Sequence, residues 1–206
     1  MGIFQHHVLL TAPHGNAAVT RRLLDTGTVA AQAAGGRVFG VFTPQIGLSL
    51  NHVIMISEFP DEAAARGANL LEGVAAGVER HDFWEAAPRP VPGETLPETE
   101  GLFSHRWFDC AEQDWPRFQD LSVAAWDNFE DVNDTRVIGF WRSRTPPASG
   151  VVRVWLMAWY RDLAAWQGSR WYNNAGNPAA EVFRTRFVER RSLTLDSAVS
   201  IMGRVV

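Results

Sequence analysis

The segment Arg37-Val38-Phe39-Gly40-Val41-Phe42-Thr43 returns 99 positions later as Arg136-Val137-Ile138-Gly139-Phe140-Trp141-Arg142. The same spacing carries His6 to His105 and His7 to Arg106. Further along, Met55-Ile56-Ser57-Glu58-Phe59 aligns with Leu156-Met157-Ala158-Trp159-Tyr160 at 101 positions, and Glu79-Arg80-His81 aligns with Glu189-Arg190-Arg191 at 110. One match alone would mean little. Three in order, with the offset growing only between elements, mark an internal duplication.

Each half reads as strand, helix, strand, strand, helix, strand. In the first, apolar runs at 3–11, 37–43, 50–59 and 78–86 are strands, bounded by turn signals such as Pro13-His14-Gly15 and Pro44–Gly47. Asn16 and Asp61 are candidate helix caps. The first helix carries Val19, Leu23 and Ala30 on one stripe, and Gly27 weakens it; the second runs through Leu70, Leu71 and Val74. In the second half the strands fall at 103–110, 136–144, 151–160 and 192–202 and the helices at 115–130 and 163–172, with Asp114 and Asp162 as caps. Pro116 then sits in a first turn, where a missing N–H costs little.

Between the halves, Pro88-Arg89-Pro90-Val91-Pro92 opens a stretch too proline-rich to be helix or central strand, and extended instead. The expected organisation is a first repeat at 1–87, a linker at 88–100 and a second repeat at 101–206. A sheet with helices on one face leaves its other face open, and two such sheets can bury those faces together. The expected fold is therefore α+β: two ferredoxin-like βαββαβ repeats packed sheet to sheet as a single-chain pseudo-dimeric α/β barrel.

Composition removes several chemistries. All 19 basic residues are Arg, so there is no ε-amine for a Schiff base or a phosphate-loop lysine. The arginine bias also fits a GC-rich bacterial genome. A formal charge of −4 gives no footprint for nucleic acid. Cys110 is the single cysteine, which excludes an intrachain disulfide and a thiolate cluster. No apolar run approaches the ~18 residues of a membrane span, and Met1–Gly15 lacks the regions of a signal peptide. A cytoplasmic location is expected, with no membrane partner; self-association is left open.

The motifs resemble those of the NIPSNAP family. Gly40-Val41-Phe42-Thr43-Pro44-Gln45-Ile46-Gly47 followed by Asn51 carries the likeness in the first half. Ile138-Gly139-Phe140-Trp141, Trp155-Leu156, Leu163-Ala164-Ala165-Trp166 and Ser169-Arg170 carry it in the second. The resemblance implies membership of the dimeric α/β-barrel superfamily, whose ferredoxin-like units pair sheet to sheet. It is nearly silent on chemistry, because relatives range from cofactor-independent monooxygenases to haem-degrading enzymes and isomerases, and fold does not transfer activity.

Strand alternation puts Val53, Met55, Ser57 and Phe59 towards the helices and His52 and Glu58 on the opposite face, with Arg153 and Trp159 as repeat mates. Polar residues at matching positions suggest a ligand cavity between the sheets, or else interface ion pairs. His6 and His105 could approach across a pseudo-two-fold, as hydrogen-bonded histidines or as metal ligands, but no third ligand has suitable spacing, so no metal is assigned. Eight of the nine Trp follow the linker. Trp107, Trp141, Trp155 and Trp159, on strands, are candidate pocket walls; Trp115, Trp126 and Trp166 are expected to pack on the sheet. Arg106 and Arg170 complete the candidates, Arg170 as a carboxylate clamp or a structural ion pair. All six His fall in strands or loops, which disfavours a helix-borne haem ligand, and no tightly bound cofactor is assigned. The insertion Asn173–Pro178 is a lid or a plain connection.

Two readings follow. In the first, the chain binds or transforms a small apolar or aromatic molecule between its sheets. In the second, it is a non-catalytic interaction protein with a filled barrel. A cavity of several hundred Å³ between the sheets would favour the first; a lumen packed with Trp and Phe would favour the second.

Overall fold

The computed structural model describes residues 2–206. Eight antiparallel strands close into one barrel: β1 (Ile3–Thr11), β2 (Arg37–Ile46), β3 (His52–Phe59), β4 (Ala76–Ala86), β5 (Leu102–Ala111), β6 (Thr135–Ser143), β7 (Val151–Tyr160) and β8 (Thr194–Val205). Their order around the barrel is β1-β3-β2-β8-β5-β7-β6-β4. Each half keeps the same internal order, β4-β1-β3-β2 in the first and β8-β5-β7-β6 in the second. The halves meet at two seams, β2 on β8 from Val41↔Val205 to Ile46↔Ile201 and β4 on β6 from Trp84↔Ser143 to Ala86↔Trp141. The two sheets thus join edge to edge as well as facing one another, and closure pairs edges that would otherwise be open to other chains.

The duplicated segment shows why it is duplicated. In both halves the strand register shifts at the same place, between Val38 and Gly40 on β2 and between Val137 and Gly139 on β6. An extra residue at a bulge bends the strand, so Phe39 and Ile138 join Phe42 and Trp141 in the lumen while Val41 and Phe140 face the helices. The glycines supply room. A Cβ on Gly139 would lie 1.9 Å from the Trp141 indole, and one on Gly40 would lie 2.7 Å from the Phe42 ring.

Helices cover the outer faces. The first half has α1 (Asn16–Arg22), a π-helical turn at Leu23–Gly27, α2 (Thr28–Ala33) and α3 (Glu62–Gly67); the second has α4 (Trp115–Asn133), α5 (Leu163–Gly168) and α6 (Glu181–Ser192). The expected weakness at Gly27 takes the form of that π turn. α4 buries Trp115, Phe118, Leu121, Ser122, Ala125, Trp126 and Phe129, a helical stripe against the sheet, and ends at left-handed Asp134. Asp61 and Asp162 accept from Ala64 N–H and Ala165 N–H, as caps do. Asn16 does not cap: its amide donates to the carbonyls of Leu50 and His52, tying the helix start to β3. Asp114 occupies a cap position without a side-chain bond, because a 3-10 turn precedes it. The helix expected through Leu70 and Val74 stops at Gly67, and the chain turns at Gly73 with φ +68°.

The proline-rich segment is not a free spacer. Leu96 is buried in the lumen cluster, the Arg37 guanidinium donates to Glu94 O, Arg204 donates to Pro97 O, and Arg136 pairs with Glu94. It closes one end of the barrel. Among the described residues, no helix is long and apolar enough to cross a membrane.

Candidate functional site

Alternation along the strands divides the sequence candidates among three places. His6, His105, Trp107, Trp141 and Trp155 point into the lumen. Trp155 stacks on Trp141 with centroids 4.1 Å apart and on Trp107 at 5.3 Å. His6 lies edge-on to Trp107 and Trp155 at 5.2 and 5.0 Å, and His105 lies 4.9 Å from Phe42. With Phe4, Trp84 and Phe103 buried alongside, aromatic rings fill the lumen. Neither ring nitrogen of His6 or His105 has a hydrogen-bond partner among the described residues. Burial holds the His6 imidazole well below its ordinary value and pushes His105 down to about 3. Both are neutral at pH 7. Asp82 Oδ2 lies 3.9 Å from His6 Nδ1, and no set of three His, Cys, Asp or Glu side chains among the described residues is placed to hold a metal.

His52 and Arg153 lie at the barrel mouth opposite the proline-rich strap. Arg153 donates Nε–H and Nη2–H to the two oxygens of Asp109, at 2.8 and 2.7 Å, a fork on a carboxylate. His52 contacts Glu79. Arg80 lies over the Trp107 ring and pairs with Asp82 at 2.9 Å. A depression of about 150 Å³ opens there, but the charges around it already neutralise one another. Trp159 is at the strapped end, against Gly101. A polar cavity between the sheets, reached by His52 and Arg153, is therefore not what these residues build: the lumen is occupied, and the ions at its rim are paired.

Arg106 and Arg170 are elsewhere. Arg106 shares its strand face with Ser104 and Phe108, on the helix side of β5, and Arg170 follows α5. They converge with Arg190 of α6 in a cleft between the sheet and the helices of the second half, about 410 Å³ in volume. Both also line a small inner void with Trp126, Phe129 and Tyr160. Arg190 is 5% exposed. It donates to Ser122 Oγ at 3.2 Å and lies over the rings of Phe108, Phe118 and Phe187. Burial, then the positive charges of Arg106 and Arg170, push Arg190 down to about 9; burial and Arg170 push Arg106 down to about 10. Both remain cations at neutral pH. Among the described residues no carboxylate forms an ion pair with any of the three, nor with Arg191, which lines the cleft from an exposed position, whereas Arg37, Arg66, Arg80, Arg89, Arg136, Arg144 and Arg153 each have one.

Three unneutralised guanidiniums in a part-buried cleft repel one another, an arrangement that an anion relieves. Arg106 was expected to reach the space between the sheets and instead faces the helices, because apolar residues flank both faces of β5. Arg170 was expected on a helix as a carboxylate clamp or an ion pair, and it follows α5 at the cleft without a paired carboxylate among the described residues. Sequence reasoning missed Arg190. The one signal was its match to Arg80 in the repeat, and Arg80 sits at the barrel mouth, in a different environment. The donor set does not fit an axially ligated haem: the cleft and inner void are lined by no histidine, cysteine or methionine, and the histidines are in the lumen, at the mouth, or in the first half.

No family model matches the chain, and no curated protein matches it. Solved structures do. A candidate monooxygenase from Lactobacillus acidophilus superposes with a TM-score of 0.65 at 10% identity over 98% of this chain and 93% of that one. An anthrone oxidase-like protein gives 0.57 at 11% identity over 100% and 92%. Chlorite dismutase from Candidatus Nitrospira defluvii gives 0.58 at 5% identity over 98% and 91%. At these identities the likeness is one of fold. The chain has the architecture of the dimeric α/β barrels, with both ferredoxin-like units supplied by one polypeptide.

Proposed function

We propose that this is a small-molecule-binding protein whose site is the arginine cleft on the helix side of the second repeat, and that its ligand is an organic anion. One observation carries the reading: Arg106, Arg170 and Arg190 converge in a single cleft without a carboxylate partner. The volume is in the range of small-molecule sites, and Phe108, Trp171 and Phe187 supply apolar walls. The NIPSNAP-like motifs belong to this reading, with the protein acting in the cytoplasm and the Ser169-Arg170 motif contributing directly to the site. A ligand at 100 times its Kd adds about 2.7 kcal/mol to stability, or roughly 5–10 °C at about 2–4 °C per kcal/mol for a chain of this size. Melting in the presence of 1-naphthoate and 1-naphthyl phosphate should show such a rise in wild type and in Arg153→Ala, and lose it in Arg106→Gln. If no anion raises the wild-type midpoint, the cleft is not a binding site.

The filled lumen supports a second reading, a non-catalytic interaction protein. Binding of neither anion, with the barrel intact, would favour it.

A further inference from the structure

Resting on that reading, we infer that the ligand carries a doubly charged head group, a phosphate monoester or a dicarboxylate, on an apolar body. The head is set by the count of unmatched charges: Arg191 and Asp196, both exposed at the rim of the cleft, offset one another in net charge, which leaves Arg106, Arg170 and Arg190. Arg190 spends one of its N–H donors on Ser122 and the rest of its five-donor fork is free for an acceptor. Neither Arg106 nor Arg170 donates a side-chain hydrogen bond to any described residue, so two further forks face the same space. A monocarboxylate would leave two like charges confronting each other; a dianion accepts from all three arginines and lowers that repulsion.

The body is set by what surrounds the head. The inner void behind the arginines is about 40 Å³, room for little more than a water or a methyl group. The apolar part must therefore extend outward, where Phe187 and the exposed side chains of Val188, Leu195 and Val199 flank the cleft. These three belong to the outer faces of α6 and β8 and have no partner helix over them. The ligand therefore lies with its charged end inward.

Isothermal titration of the whole protein with 1-naphthyl phosphate, phenylsuccinate, 1-naphthoate, inorganic phosphate and 1-naphthol separates the claims. The dianions with an aromatic body should bind at least tenfold more tightly than 1-naphthoate, and inorganic phosphate should bind more weakly than its naphthyl ester. Because a phosphate ester takes up its second proton near pH 6, its affinity should fall roughly fourfold between pH 7.5 and 5.5. Arg170→Gln, at a half-exposed position, should erase the dianion preference while leaving the fold intact; Arg106→Gln should do the same if it folds. A preference for the naphthyl ester over phenylsuccinate would identify phosphate as the head, and the reverse a dicarboxylate. Equal affinity for 1-naphthoate and the dianions, with both lost in Arg106→Gln, would overturn the dianion claim and leave the anion site standing. Binding of inorganic phosphate as tight as its ester would overturn the apolar-body claim. If none of the five binds, the underlying site falls as well.

Discussion

Gly139→Ala tests the packing that makes the barrel. The added Cβ would lie 1.9 Å from Trp141 Cη2 and 2.3 Å from Cζ2, against the ~3.5–4.0 Å of an ordinary carbon contact. The indole would have to retreat by roughly 1.5–2 Å. It has little room to retreat: it is 0% exposed, Trp155 stacks on it at 4.1 Å, and the Phe4 and Phe39 rings stand at 5.4 and 6.2 Å. Overpacking of a rigid core costs about 1–3 kcal/mol and sometimes more, and here the upper end applies. Stiffening the unfolded chain returns about 0.4–1 kcal/mol. The net loss is about 2 kcal/mol or more, which lowers the melting midpoint by roughly 4–8 °C. Gly40→Ala should cost less, because its nearest obstacles, the Phe42 ring at 2.7 Å and the Leu96 side chain at 2.8 Å, stand farther off than the 1.9 Å at Gly139. Gly67→Ala, with open space around the new Cβ, should be neutral or slightly stabilising. Calorimetry on the three variants gives the ranking. If Gly139→Ala melts within a degree of wild type, the repeated glycine is not there to admit the indole, and the account of the duplicated motif fails.

Acid should unfold the protein through its buried imidazoles. His105 titrates at about 3 and His7 at about 3 in the folded chain, and near 6.5 when unfolded. The unfolded state therefore binds more protons, so this stability is complete above pH 6.5 and drains as pH falls towards 3, by up to about 1.4 kcal/mol per pH unit for each histidine. His105→Leu should flatten the stability-versus-pH slope measured by urea titration between pH 4 and 6; an unchanged slope would show that His105 does not titrate on unfolding. Leu96→Ala should cost about 2–5 kcal/mol in the same titration, as buried leucines do, because the strap seals the lumen; a surface-like cost below about 0.5 kcal/mol would refute that sealing role. Cys110 is fully buried, and burial with the nearby Asp114 and Asp109 pushes its thiol up to about 11, so a thiol reagent should label it only in denaturant; rapid labelling of the native protein would contradict the packing of β5 against α4.

Much of the fold was legible in the chain because duplication leaves a positional record. The matched glycines, the matched histidines and the alternation of Val53, Met55 and Phe59 against Ile54 and Ile56 are consequences of backbone geometry, with a period of two in any strand. Local capping chemistry was legible at Asp61 and Asp162 for the same reason. Asn16 was not, because its amide found carbonyls on β3, across the fold from its own helix. The Pro-rich segment was expected to be extended, yet it bends near 87–90 and turns at Pro92-Gly93, where Glu94 N–H donates to Val91 O, and its composition says nothing about where it docks.

The candidate site divides along the same line. The residues that would matter could be picked out as polar or aromatic side chains at repeat-matched positions. The faces could be labelled too, with Val53, Met55 and Phe59 towards the helices and Trp141 and Trp155 opposite; what periodicity could not say is whether the enclosed space is open or filled, or that Arg106 lies on the helix side. Closure of the barrel made that choice. It turned His105 and Trp155 into packing and turned Arg106 outward to meet Arg170 and Arg190, which come from elements far apart in the chain. The repeated unit, its strand faces and the inventory of charges are written in the order of residues. Which charges are neutralised is not, because that depends on distances between side chains that meet only once the barrel has closed.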